Sequence, residues 1–380
     1  MGACVDQVAA VKQPSADLYT ALVAKTRQQR RLLTVHWELT YRCNARCAHC
    51  YLDVLPPDAS APGELTTVEC QRVLDEMAAL GILNLTLSGG EILVRPDFFE
   101  IAGYARRQQF LLRLFTNGTL ITPAVADRIA ALHPFAVEVS LYSVNPATHD
   151  RITRRERSWA LTTRAFRLLR ERNVRTVMKT PLMRENVQEI DALELLAKEL
   201  GAQFRYDPTI TPKDSGESSP LEHRLPYRDV LWLLRKRFDP AIWMEREVRD
   251  DQATCNIANN AIVVDPYGNV FPCVQVRLNA GNLREKSLRE IWASSPVWQT
   301  LRRMSLCALP VCRACALRAW CVRCHGLAHI ENGDLYGPAL ANCREALARR
   351  QVLVERGNLS ADYPIPAHLQ AYASTLELEE

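Results

Sequence analysis

Three cysteines crowd one short run, Tyr41-Arg42-Cys43-Asn44-Ala45-Arg46-Cys47-Ala48-His49-Cys50-Tyr51. Thiolates this close can ligate three irons of a cubane 4Fe-4S cluster, and with no fourth cysteine nearby one iron stays open to bind a substrate. The competing chemistry is zinc, which also takes closely spaced cysteines but closes its tetrahedral shell with a fourth Cys or His. His49 is the only such residue in the run, and a ligand adjacent to Cys50 would be strained, so iron–sulfur chemistry is the favoured reading.

A second cysteine-rich stretch lies towards the other end of the chain. Cys255 precedes Gly268 and Cys273, then come Cys312-x2-Cys315-x5-Cys321-x2-Cys324, with Cys343 beyond. Cys-x2-Cys pairs are common zinc ligands, and paired zinc knuckles would brace the protein but could not carry electrons. Cys4 and Cys70 stand apart as structural or incidental; Cys70 falls in a helical pattern, where a free thiol packs as a small hydrophobe.

The elements that position these residues alternate. Residues 33–40 form an apolar-rich strand leading into the first cysteine run; 66–80 have helical periodicity opened by Thr66 as a cap; 83–87 form a strand ending in Ser88-Gly89-Gly90-Glu91. The unit then repeats. Helices are expected at 97–108, 123–132, 159–172 and 188–200, and strands at 111–116, 136–141, 175–180 and 203–206. Six strands alternating with helices predict an α/β protein with a parallel sheet and helices outside. Reactive groups of such folds gather at the carboxyl ends of the strands, where both the first cysteine run and Ser88-Gly89-Gly90-Glu91 fall. Glycines 89 and 90 allow close backbone approach or positive φ.

The Cys-x3-Cys-x2-Cys spacing with an aromatic residue, His49, before the third cysteine resembles the signature of radical S-adenosylmethionine (radical SAM) enzymes. The resemblance implies a partial (β/α)6 TIM-like barrel and a cluster on Cys43, Cys47 and Cys50 whose open iron is chelated by the methionine amino and carboxylate groups of SAM. Reductive cleavage to methionine and a 5′-deoxyadenosyl radical would follow. Ser88-Gly89-Gly90-Glu91 is similar to the family's Gly-Gly-Glu motif, which holds the methionine ammonium group. Ser140 and Lys179 match strand positions that reach the SAM pocket; Asn117 is a further candidate, although Asn117-Gly118 also reads as a plain turn. Tyr142, Arg205 and Asp207 sit at strand ends where they could face a substrate, with solvated or salt-bridged roles expected.

The phrases Asp265-Pro-Tyr-Gly-Asn-Val-Phe-Pro-Cys273, Gly281-Asn-Leu and Leu288-Arg-Glu-Ile-Trp292 resemble a SPASM domain, a small cysteine-rich module that binds two auxiliary iron–sulfur clusters. By that resemblance Cys312, Cys315, Cys321 and Cys343 hold one cluster, and Cys255, Cys273 and Cys324 hold part of the other. The last gap of the four-cysteine run is shorter than the usual three residues. The second cluster lacks an obvious fourth cysteine, leaving Cys307, a non-cysteine ligand, an open iron or a smaller cluster. The expected divisions are an extension at 1–32, the barrel at 33–211, a helical linker at 212–250, the auxiliary-cluster domain at 251–350 and a tail at 351–380.

SPASM-bearing enzymes mostly modify peptides or proteins, and 178–186, 206–214 and Ser219-Pro220-Leu221 are similar to segments of the peptide-maturing branch. The expected function is therefore crosslinking, epimerisation or related maturation of a ribosomal peptide. Tetrapyrrole or other cofactor biosynthesis is the alternative within the family, and a non-catalytic iron–sulfur or zinc scaffold the alternative outside it. The first thirty or so residues are too short for the winged-helix recognition domain of some maturases, so leader recognition is expected to use a separate protein or another surface. An electron donor such as flavodoxin or ferredoxin completes the implied partners.

Composition bounds these readings. The chain has 380 residues, 48% hydrophobic and 24% charged, enough for a large core and roughly two domains. No apolar run reaches the roughly 18 residues of a membrane span and no signal-peptide order opens the chain, so a cytoplasmic location is expected. Thirteen cysteines in a chain of this size fit metal or cluster ligation better than disulfides. A net charge of +4 is too mild to argue for nucleic acid.

Overall fold

The computed structural model describes residues 18–239, 248–251 and 253–370; Cys4 and parts of the expected extension, linker and tail lie outside them. Its centre is one nine-stranded sheet in the order β6-β5-β4-β3-β2-β1-β7-β8-β9. The six expected strands are β1 (Thr34–Thr40), β2 (Asn84–Gly89), β3 (Leu111–Thr116), β4 (Ala136–Ser140), β5 (Thr176–Pro181) and β6 (Gln203–Asp207). All six are parallel neighbours, as a β-helix-β repeat dictates.

Each strand alternates. In β1, Val35, Trp37 and Leu39 are fully buried and join the main core, while His36, Glu38 and Thr40 occupy the other face of the pleat. The helix Thr67–Ala79 turns Cys70, Val73, Leu74 and Met77 into that core, a spacing that stacks them on one helical face. Thr66 caps it with a reciprocal capping box to Glu69. The helix Pro146–Thr153 was not expected. Asn145 caps it by accepting from the amides of Ala147 and Thr148, and Pro146 occupies its first turn.

The cysteine-rich C-terminal region is joined to the barrel sheet. Strand β7 (Ala261–Val264) pairs parallel to β1, and β8 (Asn269–Phe271) and β9 (Gly281–Asn282) continue antiparallel. A second core forms where the helix Tyr227–Lys236, from the expected linker, packs on Leu340–Glu355 through Tyr227, Leu231, Leu347 and Leu353. The latter helix runs through the boundary expected at 350.

Candidate active site

The first cysteine loop leaves the end of β1 and is fixed by backbone hydrogen bonds. The amide of Cys43 donates to Leu55 O (2.9 Å), that of Arg46 to Thr153 O (3.1 Å), that of Ala48 to Ile152 O (2.9 Å) and that of Cys50 to Cys47 O (3.1 Å). Two of these acceptors belong to the helix Pro146–Thr153, so that helix buttresses the loop. The Asn145-Pro146 pair, a cap followed by proline, was its legible signal.

The three thiols are free and largely sequestered from solvent. Burial pushes Cys43 up to about 12, with Glu91 adding to the effect, and pushes Cys50 up to about 11. Cys47 rises further, by burial and then by the neighbouring Cys50 and Cys43. Thiols that oppose one another's ionisation in a dry pocket fit a metal centre, whose positive charge stabilises the thiolates. Among the described residues no three His, Cys, Asp or Glu side chains converge to hold a single metal ion. His49 stacks edge-on against Tyr142, with ring centroids 4.7 Å apart.

Glycines 89 and 90 meet the backbone that leads into the loop. A Cβ on Gly89 would lie 2.3 Å from Thr40 O and one on Gly90 2.4 Å from Arg42 O; Gly89 also has φ +124°. The amides of Gly90 and Glu91 donate to those carbonyls at 2.8 and 2.9 Å. The close approach expected of the pair is thus made to the chain itself. Glu91, fully buried, accepts from Thr116 Oγ1 (2.8 Å) and the amides of Asn117 (2.7 Å) and Leu93 (3.1 Å), and burial raises its pKa. Its carboxylate ties β2 to the end of β3.

Asn117 is drawn in by its side chain: Nδ2 donates to Asn44 Oδ1 at 2.8 Å, and Asn44 Nδ2 donates to Thr119 Oγ1 at 2.9 Å. Ser88 faces Glu38 across the β1–β2 register. Ser140 hydrogen-bonds the Tyr142 hydroxyl, which lies 3.8 Å from Cys47 Sγ. Tyr142 is therefore buried against the cysteine loop, correcting the solvated or salt-bridged role expected of it, because Ile152, Met183 and Ile210 enclose its ring. Lys179 stands apart from this group. Its Nζ lies 3.5 Å from Glu138 and 3.8 Å from the centroid of Phe115, and burial draws its pKa below the ordinary lysine value. Across the β5–β6 register it faces Arg205, which like Asp207 is exposed.

Sequence reading missed one group. Glu38, fully buried in β1, accepts from Tyr41 Oη (3.0 Å), Tyr51 Oη (2.8 Å) and both terminal nitrogens of Arg277 (3.1 and 2.8 Å). Arg277 also lies 3.0 Å from Asp214. This ion pair ties both flanks of the cysteine loop to the C-terminal region.

The later cysteines fall into two sets. Cys312, Cys315, Cys321 and Cys343 line one cavity with Leu317 and Leu369. Burial and then Cys343, Cys315 and Cys312 raise Cys321, and burial with Cys312 and Cys315 pushes Cys343 up to about 12. Cys273 is raised by burial and by Cys324 and Cys255. Cys307 is exposed, its Sγ 2.9 Å from Ser305 Oγ.

Residues 37–197 match the radical SAM superfamily, and residues 255–316 match the SPASM iron-sulfur cluster-binding domain. The AdoMet-dependent heme synthase of Methanosarcina barkeri is 30% identical over 79% of this chain and 93% of its own length. The mycofactocin maturase MftC of Mycobacterium ulcerans is 30% identical over 70% of this chain and 76% of its own. Streptococcus suis SuiB bound to the precursor peptide SuiA superposes with a TM-score of 0.64 over 88% of this chain and 83% of that one; at 13% identity the likeness is one of fold. The partial barrel, its cysteine loop and the relatives place this chain in the radical SAM superfamily. Within that superfamily it is a SPASM-bearing enzyme, using SAM, a 4Fe-4S cluster and auxiliary iron–sulfur clusters. No helix among the described residues is long and apolar enough to cross a membrane.

Proposed function

We propose that this enzyme is a cytoplasmic maturase of a ribosomal peptide, with Cys43, Cys47 and Cys50 holding the SAM-cleaving cluster. A 4Fe-4S cluster held by Cys43, Cys47 and Cys50 would supply the electron for reductive cleavage of SAM. The chain's own residues orient that chemistry. The backbone of Ser88, Gly89 and Gly90 would hold the methionine end of SAM, Glu91 accepts from the Asn117 amide to brace the strand ends, and Ser140 positions Tyr142 against Cys47. Lys179, on the neighbouring strand, is the candidate contact for an anionic group. Cys312, Cys315, Cys321 and Cys343 would hold one auxiliary cluster, and Cys255, Cys273 and Cys324 three corners of another. The divisions at 33–211 and 251–350 follow these two chemistries, although β7 makes them share a sheet.

The observation that carries the peptide reading is β6. It ends the sheet, no described strand pairs with its outer side, and Gln203, Arg205, Tyr206 and Asp207 are exposed. An unpaired strand edge is a template for an extended peptide, whose backbone can add to it while side chains enter the barrel. Leader recognition by a separate protein and reduction by a flavodoxin or ferredoxin complete this reading. The similarity to the heme synthase, which spans nearly all of that enzyme, favours trimming of tetrapyrrole side chains as the second reading.

Anaerobic co-expression with a short peptide encoded beside the gene, followed by high-resolution mass spectrometry, tests both. Loss of two hydrogens, or deuterium uptake in heavy water, that depends on Cys43, Cys47 and Cys50 supports the maturase. An unmodified peptide together with mass loss from a porphyrin substrate supports the second reading and overturns the first.

A further inference from the structure

We propose that Gln275 supplies the fourth ligand of the iron–sulfur site on Cys255, Cys273 and Cys324, through its side-chain oxygen. The inference rests on the assignment of those three cysteines to one site. Gln275 spans two of the three thiols: its Oε1 lies 2.9 Å from Cys324 Sγ, and its backbone N–H hydrogen-bonds the sulfur of Cys273. Cys307 is exposed and turned to Ser305. His325, next to Cys324, has both ring nitrogens engaged, Nε2 with Thr254 Oγ1 at 2.8 Å and Nδ1 with Arg323 and the carbonyl of Leu335.

The chain also makes room for Gln275. Gly326 sits in the helix His325–Asn332, where glycine is otherwise a poor choice. A Cβ there would lie 2.5 Å from Gln275 Cβ and 2.7 Å from its carbonyl oxygen. Glycine at 326 thus serves the close approach of Gln275 to the helix that follows Cys324.

The chemistry follows from the donor set. The Gln275 amide oxygen has a lone pair to offer at a point already within hydrogen-bond distance of Cys324 Sγ. A neutral oxygen is a harder and weaker ligand than thiolate. Replacing a thiolate with it leaves the site less negative, which raises the reduction potential and makes one iron exchangeable.

The test uses the full chain with Cys43, Cys47 and Cys50 changed to Ala, so that no SAM-binding cluster contributes, reconstituted anaerobically with isotopically enriched iron. Mössbauer spectroscopy should resolve one iron with a non-sulfur ligand. Gln275→Cys should abolish that distinct iron and lower the potential in an EPR-monitored titration. Gln275→Ala should lose the iron on mild oxidation and leave a 3Fe signal, whereas Gln275→Glu should keep it. A cluster whose spectra and potential are the same in all three variants overturns the role of Gln275 alone. If adding Cys255→Ala and Cys273→Ala leaves iron and sulfide content unchanged, the three-cysteine assignment is overturned and the proposal falls with it.

Discussion

Cys43, Cys47 and Cys50 lie in one short run, held by backbone hydrogen bonds to Leu55, Ile152 and Thr153 and by the Asn44–Asn117 contact. Cys255, Cys273 and Cys324 come instead from distant positions, and Cys255 is exposed. The first loop is held by the fold's own hydrogen bonds. The second set draws on segments far apart in the chain, whose closure costs chain entropy, so a cluster bound there would contribute more to their order.

Four experiments break or sharpen that contrast, from the largest effect down. Changing Cys43, Cys47 and Cys50 to Ala should abolish deoxyadenosine formation from SAM and remove about four irons per chain, one cubane's worth, while thermal unfolding of the barrel changes little. Liquid chromatography and iron assay check this; persistent SAM cleavage would remove the loop from the chemistry. Stripping iron from the intact protein should raise amide exchange about ten-fold or more around 255–343 and spare β1 to β5, as local unfolding requires. Equal loss of protection in both regions would erase the distinction.

Arg277→Met leaves Glu38 buried without its cation. Breaking such a pair typically costs about 3–5 kcal/mol, and the loss should appear in denaturant unfolding and be partly recovered by adding Glu38→Gln. An unshifted midpoint would mean that the two regions are not coupled through this pair. Gly90→Ala is the smallest change. Its methyl would meet Arg42 O, and a cost of about 1–3 kcal/mol is expected, with SAM affinity falling as the loop shifts.

The barrel was legible because its repeats are strongly periodic. The six strands lie within about two residues of their expected ends, since alternating burial and turn residues define them locally. The helix Pro146–Thr153 escaped because its eight residues mix His, Asp, Arg and Thr with few apolar anchors. Cysteine spacing and family resemblance suggested the three thiol groups; of these, Cys312, Cys315, Cys321 and Cys343 line one cavity in the fold. Nothing local announced Glu38 and Arg277, whose partnership spans 239 positions. Nor did composition reveal that β7 would pair with β1, because strand neighbours far apart in sequence are chosen by the whole fold rather than by either segment.

That last pairing governs the order of events on the ribosome. One side of β1 is covered soon, by β2, but the other waits for β7, about 230 residues later in synthesis. At about 5–20 residues per second, the nascent barrel shows an open strand edge for roughly 10–50 s, a window for mispairing with other chains. The same interval leaves Glu38 without Arg277, so the loop of Cys43, Cys47 and Cys50 is at its most accessible while the chain is still being made.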